Sequence, residues 1–217
     1  LHLSLRRQRQ MCIRDRTQVY DFDLRFRDYI KSYNFHKIYI ELLNFCTLDL
    51  SAFYFDIKKD ILYCDSENSQ RRNNCLEILN VLINFLLKWF SPILAFTSEE
   101  AYQVIKNKKY KSIHLQDFPV IPFMWNNSEI KNKWIGIKKV KQVVNAAIED
   151  IRNKKIIGSS LEANVIVYLK DEYLNIIKQE DLSEIFICSE AKAESFINQN
   201  DLFSVKDVEG VAVKILK

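Results

Sequence analysis

The stretch from Arg71 to Phe90 most constrains how this chain can fold. It is apolar nearly all round, and its polar residues form one stripe at steps of three, four and four: Glu77, Asn80, Asn84 and Lys88. Leaving a Leu, Ile or Phe side chain in water costs roughly 1.5–3 kcal/mol. A helix with so little polar surface must be enclosed by neighbours. The stretch therefore predicts the central helix of a bundle.

Helical patterns on both sides of this stretch supply the neighbours. Apolar residues recur at three- and four-residue spacings within residues 28–62, which predicts one helix and then a second that carries Leu50 to Ile57. After Ser91-Pro92, a capping box at Thr97–Glu100 predicts a short helix that continues through Ile105. We expect this helical bundle to occupy residues 17–111.

A second, smaller domain is expected after a connector at residues 112–127, which contains two prolines and several aromatic residues. An amphipathic helix from Trp134 to Ile151 opens residues 128–217, and Gly158 is predicted to lie in its C-cap region. Strands are then predicted at Ala163–Leu169 and Glu184–Cys188, with a helix between them at Asp171–Lys178. Phe203–Leu216 is predicted to form a terminal hairpin, or an edge strand in its second half. The expected fold class is mainly α: a helical bundle followed by a small α+β domain.

The net charge of +4 comes from the first residues of the chain. Residues 1–16 hold five arginines and one aspartate, so the remainder is neutral overall. This segment has neither the apolar centre of a signal peptide nor an amphipathic pattern. It is therefore interpreted as a foreign or disordered leader and excluded from the fold.

Charge is unevenly spread within the second domain. Residues 131–155 contain eight cationic and two acidic residues, whereas residues 171–209 contain ten acidic residues and three lysines. One interpretation is that the basic helix steers a polyanion onto one surface. The other is that these charges solvate an exposed helix face and hold the basic and acidic parts together. Both interpretations remain open at this point.

Several classes of site are excluded by composition and spacing. Five widely spaced cysteines without a CxxC pair indicate neither a disulfide framework nor a zinc site and favour a reducing cytoplasm. His36 and His114 have no partner at metal-ligand spacing, and three glycines cannot build a phosphate-binding loop. The richest apolar run, from Leu76 to Phe90, is interrupted by polar residues, so no membrane span is expected. We predict no catalytic, cofactor or metal residue.

Several segments resemble one family. Residues Leu43 to Tyr63, with the core DLSAFYFDIKKDILY, closely resemble a stretch of the isoleucyl-tRNA synthetases, which are class I aminoacyl-tRNA synthetases. Matching segments follow in order and spacing: Arg71-Arg72, Ser91–Glu100, His114–Pro119 and Ile157–Ala163. The PILAFTSEE part also fits the valyl and leucyl enzymes, whereas DLSAFYFD and IGSSLEA favour isoleucine.

The resemblance implies that the bundle is an anticodon-binding domain in the C-terminal part of a longer enzyme. That enzyme would ligate isoleucine to its tRNA with ATP, and some relatives carry a zinc module near the C-terminus. The catalytic and editing motifs of the family are not found in this chain, so the fragment alone is expected to be inactive. It is expected to be a cytoplasmic monomer that binds tRNA and no membrane.

The predicted tRNA contacts are cationic side chains that would meet phosphates. They are Lys58, Lys59, Arg71 and Arg72 in the bundle, and Lys138, Lys139 and Lys141 in the second domain. Four aromatic residues either stack on splayed RNA bases or belong to the core: Phe53, Tyr54, Phe55 and Tyr63. Alternative hypotheses are a valyl- or leucyl-type synthetase fragment and a helical interaction module with no RNA partner.

Overall fold

The computed structural model describes residues 2–105, 108, 110–178, 180–196 and 202–216, with side chains at position 14 and from position 16 onward. The chain divides into two compact units, one of residues 11–127 and one that includes residues 128–217. The first is helical, and the second combines helices with a small sheet. This arrangement confirms the predicted fold class.

The first unit begins with a helical hairpin. Its first arm is the part of α1 (His2–Lys31) from Met11 onward, and its second is a continuous run of α2 (Phe35–Asn44), a π-helical stretch (Phe45–Phe55) and α3 (Asp56–Cys64). The Asn34 side chain accepts a hydrogen bond from the backbone N–H of Lys37 and so caps α2. Helix was correctly predicted within residues 28–62, but α1 was not predicted.

Helix α1 crosses the limit predicted for the leader at residue 16. Arg14 is buried, and its guanidinium carbon lies 4.3 Å from the ring centroid of Phe53. The guanidinium carbon of Arg16 lies 5.5 Å from the ring centroid of Trp125. The end of the predicted leader therefore packs within the bundle, which corrects its exclusion from the fold; the side chains at positions 1–13 and 15 lie outside the described residues.

The predicted central helix is confirmed as α4 (Gln70–Phe90). Its Trp89 is fully buried and packs against Phe22 and Phe45, at centroid distances of 4.6 and 6.3 Å. The enclosure is less complete than predicted, because Leu76 and Ile83 remain 40% and 42% exposed. They line an apolar groove of about 480 Å³ beside α4.

Helix α5 (Ala95–Val104) begins two residues before the predicted capping box. Thr97 and Glu100 lie inside the helix, whose N-cap residue is Leu94, so the predicted box does not cap it. Glu99 accepts hydrogen bonds from the Ser112 hydroxyl and the Ile113 backbone N–H. The segment predicted as a connector, residues 112–127, packs on the bundle core through Phe118 and Trp125. The two units divide between Asn127 and Ser128.

The second unit places helices against a three-stranded sheet. Its elements are α6 (Ser128–Asn153), β1 (Asn164–Leu169), α7 (Asp171–Ile177), α8 (Leu182–Phe186), β2 (Glu190–Ser195) and β3 (Val211–Leu216). The strand order is β2-β1-β3, with β2 parallel and β3 antiparallel to β1. The predictions for α6, β1 and α7 are confirmed.

Three local predictions in this unit are wrong. Glu184–Cys188 was predicted as a strand but lies largely in α8, because Asp181 caps a helix there. Helix α6 ends at Asn153, before Gly158, and Lys155 adopts the left-handed conformation that closes the helix end. No terminal hairpin of two full strands forms in the described residues; Phe203 makes a single antiparallel bridge to Val213 of β3. The alternative prediction is confirmed, because Val211–Leu216 forms β3 at the edge of the sheet.

One helical run among the described residues, Phe35–Cys64, is long and apolar enough to cross a membrane by length and composition. Within its most apolar window, 33% is buried inside the protein. Its buried side chains include Ile38, Leu42 and Tyr54, which belong to the bundle core. Core helices of soluble proteins pass the same test, so this run is weak support for a membrane span.

Candidate nucleic-acid interface

The junction between α3 and α4 holds the predicted tRNA contacts of the bundle. Ser69 caps α4 by accepting from the Arg72 backbone N–H at 3.4 Å, and its hydroxyl donates to Asp65 Oδ2 at 2.7 Å. The Arg72 side chain donates from Nε to the Leu62 carbonyl at 3.1 Å. This bond satisfies a carbonyl at the end of α3, where helices leave such groups without an intrahelical donor. The junction is therefore tied together by both side chains and backbone.

The four predicted cations at this junction differ in accessibility. Lys58 is only 6% exposed, so its ammonium group is poorly placed to meet a phosphate. Lys59 is exposed and forms a surface ion pair with Asp56 at 3.1 Å. Arg71 and Arg72 are half-buried. The structure thus brings these residues to one end of the bundle but leaves Lys59, Arg71 and Arg72 as its accessible cations.

Acidic residues offset these cations. The same junction carries four carboxylates, which are those of Asp56, Asp60, Asp65 and Glu67. They balance the four cations, so the junction has no net positive charge. Asp60 and Glu67 are exposed. A surface with balanced charge exerts little long-range pull on a polyanion. Contacts at this end must therefore rely on local geometry more than on overall charge.

The four candidate aromatic residues fall into two groups. Phe53 and Tyr54 are buried, and the Tyr54 hydroxyl lies 3.5 Å from Cys75 Sγ. Phe55 is 41% exposed, and Tyr63, in the last turn of α3, is 86% exposed. The core interpretation therefore holds for Phe53 and Tyr54, whereas Tyr63 presents its ring to solvent.

Polar amides lie next to these residues and were not singled out from the sequence. Gln70 and Asn73 are exposed in the first turn of α4, and Gln70 Nε2 donates to Asn74 Oδ1 at 2.7 Å. An amide offers both a donor and an acceptor, which is what base edges require. The sequence signal was available, since residues 70–74 form a wholly polar start to an otherwise apolar helix.

The three predicted lysines of the second unit lie on different faces of α6. Lys139 is exposed, Lys138 is half-buried and Lys141 is 6% exposed. Lys141 falls on the apolar face, between the buried residues Ile137 and Val144. Of these three lysines, Lys139 alone is exposed.

Part of the basic run pairs with carboxylates in the same unit. Lys133 Nζ lies 2.6 Å from Glu180 Oε1, and the glutamate side chain is only 4% exposed. Arg152 and Lys154 pair with Glu149 and Asp150 on the surface of α6. These pairs support the interpretation in which the charges solvate α6 and hold the basic and acidic parts of this unit together.

No catalytic or metal-binding constellation stands out in the described part of the chain. There, no three His, Cys, Asp or Glu side chains are grouped so as to hold a metal ion. Burial raises the pKa of the Cys188 thiol to about 11, and burial also raises the pKa of Cys46. Both thiols are therefore protonated at neutral pH and are poor nucleophiles and metal ligands. These residues do not fit a zinc site.

The chain thus consists of a helical bundle followed by a small unit of helices and a three-stranded sheet. The chain matches the family described as anticodon-binding domain of tRNA ligase over residues 18–167, which is more than half of its length. The chain belongs to that family. The match spans the division between the two units.

The chain is also similar to curated isoleucine–tRNA ligases. It is 51% identical over 174 residues to the protein of Pelagibacter ubique, with 80% of this chain and 19% of that protein covered. It is 38% identical to the proteins of Mesorhizobium japonicum and Agrobacterium fabrum, over 86% and 89% of this chain and 19% and 20% of those proteins. The chain thus spans about a fifth of the length of these relatives.

Proposed function

We propose that this chain is a tRNA-binding part of an isoleucine–tRNA ligase, in which the bundle holds the tRNA while other domains perform the chemistry. The observation that carries the proposal is the match of residues 18–167 to the anticodon-binding domain family. The similarity to three isoleucine–tRNA ligases supports isoleucine as the amino acid. The full enzyme would join isoleucine to its tRNA with ATP, and this chain alone would be inactive.

The exposed cations are the proposed phosphate contacts. Lys59 in the bundle and Lys139 in the second unit are the most accessible of the predicted set, followed by Arg71, Arg72 and Lys138. Each neutralised phosphate releases counterions, so binding is expected to weaken as salt rises. Lys58 and Lys141, being buried, are assigned a structural part instead.

The setting of the protein is also part of the proposal. The chain acts as a monomer in the cytoplasm and contacts no membrane; the core packing of the Phe35–Cys64 run supports this last point. ATP would bind to other parts of the full enzyme, as would zinc if it is present. The described part of this chain has no group of three His, Cys, Asp or Glu side chains that could hold a metal ion.

A binding titration with matched variants tests the phosphate contacts. The double variant Lys59→Gln and Lys139→Gln removes one exposed cation from each unit. Its control, Lys31→Gln and Lys214→Gln, also removes one exposed cation from each unit, but away from the proposed contacts. We expect the first pair to weaken tRNA binding several-fold and to reduce the slope of log affinity against log salt by about 0.7–0.9 per lost contact. Equal effects of the two pairs would contradict the assignment.

The valyl and leucyl alternatives are separated by a charging assay. The full-length enzyme, supplied in turn with isoleucine, valine and leucine and the corresponding tRNAs, is expected to form a stable product with isoleucine. Preferential charging with either other amino acid would overturn the isoleucine assignment. It would leave tRNA binding by the bundle intact.

The apolar groove beside α4 is the feature that favours the non-RNA interaction module. Leu76, Ile83 and Phe55 line it, and all three are about 40% exposed. A protein that used only this groove would bind no tRNA, and its interactions would not weaken steeply with salt. The same titration therefore decides between the two hypotheses.

A further inference from the structure

The last turn of α3 carries an aromatic ring that the bundle leaves in solvent. Tyr63 is 86% exposed, although two aromatic residues earlier in the same helical run, Phe53 and Tyr54, are buried. Its side chain makes no hydrogen bond or ring contact with the described residues. Burial and packing within the described part of this chain therefore give no account of a large aromatic side chain at this position.

The backbone beneath this ring is held in place. The preceding residue, Leu62, receives the Arg72 Nε hydrogen bond, and Ser69 ties the following turn to both Asp65 and α4. With the backbone fixed, only the side-chain torsions of Tyr63 remain to be ordered when a ligand stacks on the ring, which lowers the cost of binding. Tyr63 is thus an exposed ring on a restrained backbone.

We propose that Tyr63 is a stacking platform for an unpaired base of a tRNA loop. This inference rests on the proposed function and deepens it, because it specifies that the α3–α4 junction recognises single-stranded nucleotides. Base stacking on aromatic side chains is the usual way in which proteins bind unpaired RNA bases.

The charge balance at the junction favours a loop over a double helix. Proteins grip duplex RNA mainly through its phosphates and 2′-hydroxyls, which requires a cationic surface. Here the four cations are matched by four carboxylates. Stacking depends far less on net charge, so it is the contact that this surface is best able to make.

The neighbouring side chains complete such a site. Asn73 and Gln70 lie exposed at the start of α4, where their amides can pair with base edges. Arg72, held against the Leu62 carbonyl, places a guanidinium group beside the same turn. Unpaired bases are recognised by this combination of aromatic ring, amide and guanidinium.

The test compares Tyr63→Ala and Tyr63→Phe with a control at the far end of the same helical run. Tyr33, which is 80% exposed, lies just before α2, and the run from Phe35 to Tyr63 separates the two tyrosines by roughly 40 Å at 1.5 Å per residue. Tyr33→Ala therefore removes an equally exposed ring from the protein without touching the proposed site. Circular dichroism spectra check that each variant is folded.

Three RNA probes are titrated against the whole chain: a full tRNA for isoleucine, its isolated anticodon stem–loop, and a fully paired duplex of equal length. We expect Tyr63→Ala to weaken binding of the tRNA and the stem–loop by about fivefold to a hundredfold, which corresponds to one lost stacked base. Tyr63→Phe should restore binding, since the ring is kept. Binding to the duplex should be unchanged, as should binding of all three probes by Tyr33→Ala.

A fluorescent base reports the stacking itself. With 2-aminopurine in the loop, we expect its fluorescence to be quenched by the unaltered chain and by Tyr63→Phe, but not by Tyr63→Ala. Unchanged tRNA affinity and unchanged quenching in Tyr63→Ala would overturn this inference while leaving the proposed function standing. No tRNA binding by the unaltered chain would overturn both. An equal loss for the duplex probe would reject the loop assignment.

Discussion

The Trp89 indole donates its hydrogen to Asp23 Oδ1 at 3.1 Å, inside the helical bundle. Trp89 is fully buried and Asp23 is 4% exposed, so this bond joins α4 to α1 out of reach of water. Asp23 also accepts a hydrogen bond from Arg27 Nε at 2.6 Å. Arg27 donates a second hydrogen bond to the Pro119 carbonyl, which lies in the segment after α5. One carboxylate therefore organises three parts of the bundle.

Replacement of this carboxylate should destabilise the protein strongly. Asp23→Ala leaves the buried Trp89 indole without its acceptor, which costs about 1–3 kcal/mol, and also releases Arg27. Urea unfolding followed by circular dichroism measures the loss. Asp28→Ala, on the exposed side of the same helix, is the control and should change the free energy of unfolding by less than about 0.5 kcal/mol. Similar losses in both variants would show that the buried bond contributes nothing specific.

A second prediction concerns the end of α1. Tyr33 has a φ of 54°, a left-handed conformation in which a side chain is strained and glycine is not. Because the Tyr33 ring is mostly exposed, Tyr33→Gly loses little burial and should stabilise the protein by about 0.5–1 kcal/mol. Tyr39→Gly, within α2, should instead cost about 1 kcal/mol. Thermal unfolding of both variants checks the opposite signs, and destabilisation by Tyr33→Gly would contradict the account.

The turn before β3 gives a third prediction. Gly210 has a φ of +80°, and a Cβ added there would lie 2.9 Å from Lys170 Cγ and 2.6 Å from Lys170 Cδ. Gly210→Ala should therefore destabilise the second unit by about 1–2 kcal/mol, from backbone strain together with the clash. Gly158→Ala is the matched control, since an added Cβ there meets only the end of the Glu162 side chain, at 3.3 Å. Denaturant unfolding should separate the two variants, and an unchanged midpoint for Gly210→Ala would refute the prediction.

A fourth prediction concerns pH. The hydrogen bond from Ser112 lowers the pKa of Glu99 from its ordinary value of 4.5, with a smaller contribution from Gln103. Because the folded-state pKa is the lower one, the carboxylate stabilises the fold above pH 4.5, and this contribution is lost as the pH falls through the folded value. Glu99→Gln should therefore be less stable than the unaltered chain at pH 7, and the difference should shrink below pH 4. Glu100→Gln serves as the control, and a pH-independent difference for Glu99→Gln would contradict the assignment.

The sequence predicted most strongly those parts of the fold in which periodicity and burial agree. The apolar run that became α4 could hardly be anything but a packed helix, and the Val- and Ile-rich β1 follows its intrinsic propensity. The remaining elements depend on pairing with parts of the chain that are distant in sequence. β2 has the sequence EAKAES, which has little strand propensity, and it forms because β1 offers a parallel partner along its whole length. No local pattern could have found it.

One error had a signal in the sequence. Ile185 to Cys188 are strand-forming residues, but Asp181 stands four residues before Ile185 and accepts a hydrogen bond from the Glu184 backbone N–H at 3.2 Å. The Asp-x-x-Glu spacing is a helix-start pattern, and it outweighs the strand propensity here. The short helix then closes through Ile187 in the left-handed conformation, with a φ of 57°.

The candidate site was only partly predictable for a related reason. Lys141 was placed among the RNA contacts by its charge, although its spacing from Ile137 and Val144 puts it on the buried face of α6. Helical spacing alone would have separated it from Lys139. The exposure of Tyr63 could not be predicted from helical spacing, because it depends on α3 ending at Cys64. Helix ends are the features that a sequence predicts least reliably.

The most direct measurement of the central claim is a titration of this chain with a tRNA for isoleucine at about 50 and 200 mM salt, beside an unstructured RNA of the same length. We expect saturable binding that is tighter for the tRNA than for the unstructured RNA and that weakens markedly at the higher salt concentration. Folded protein that binds neither RNA at the lower salt concentration, or that binds both equally, would contradict the claim that this bundle recognises tRNA.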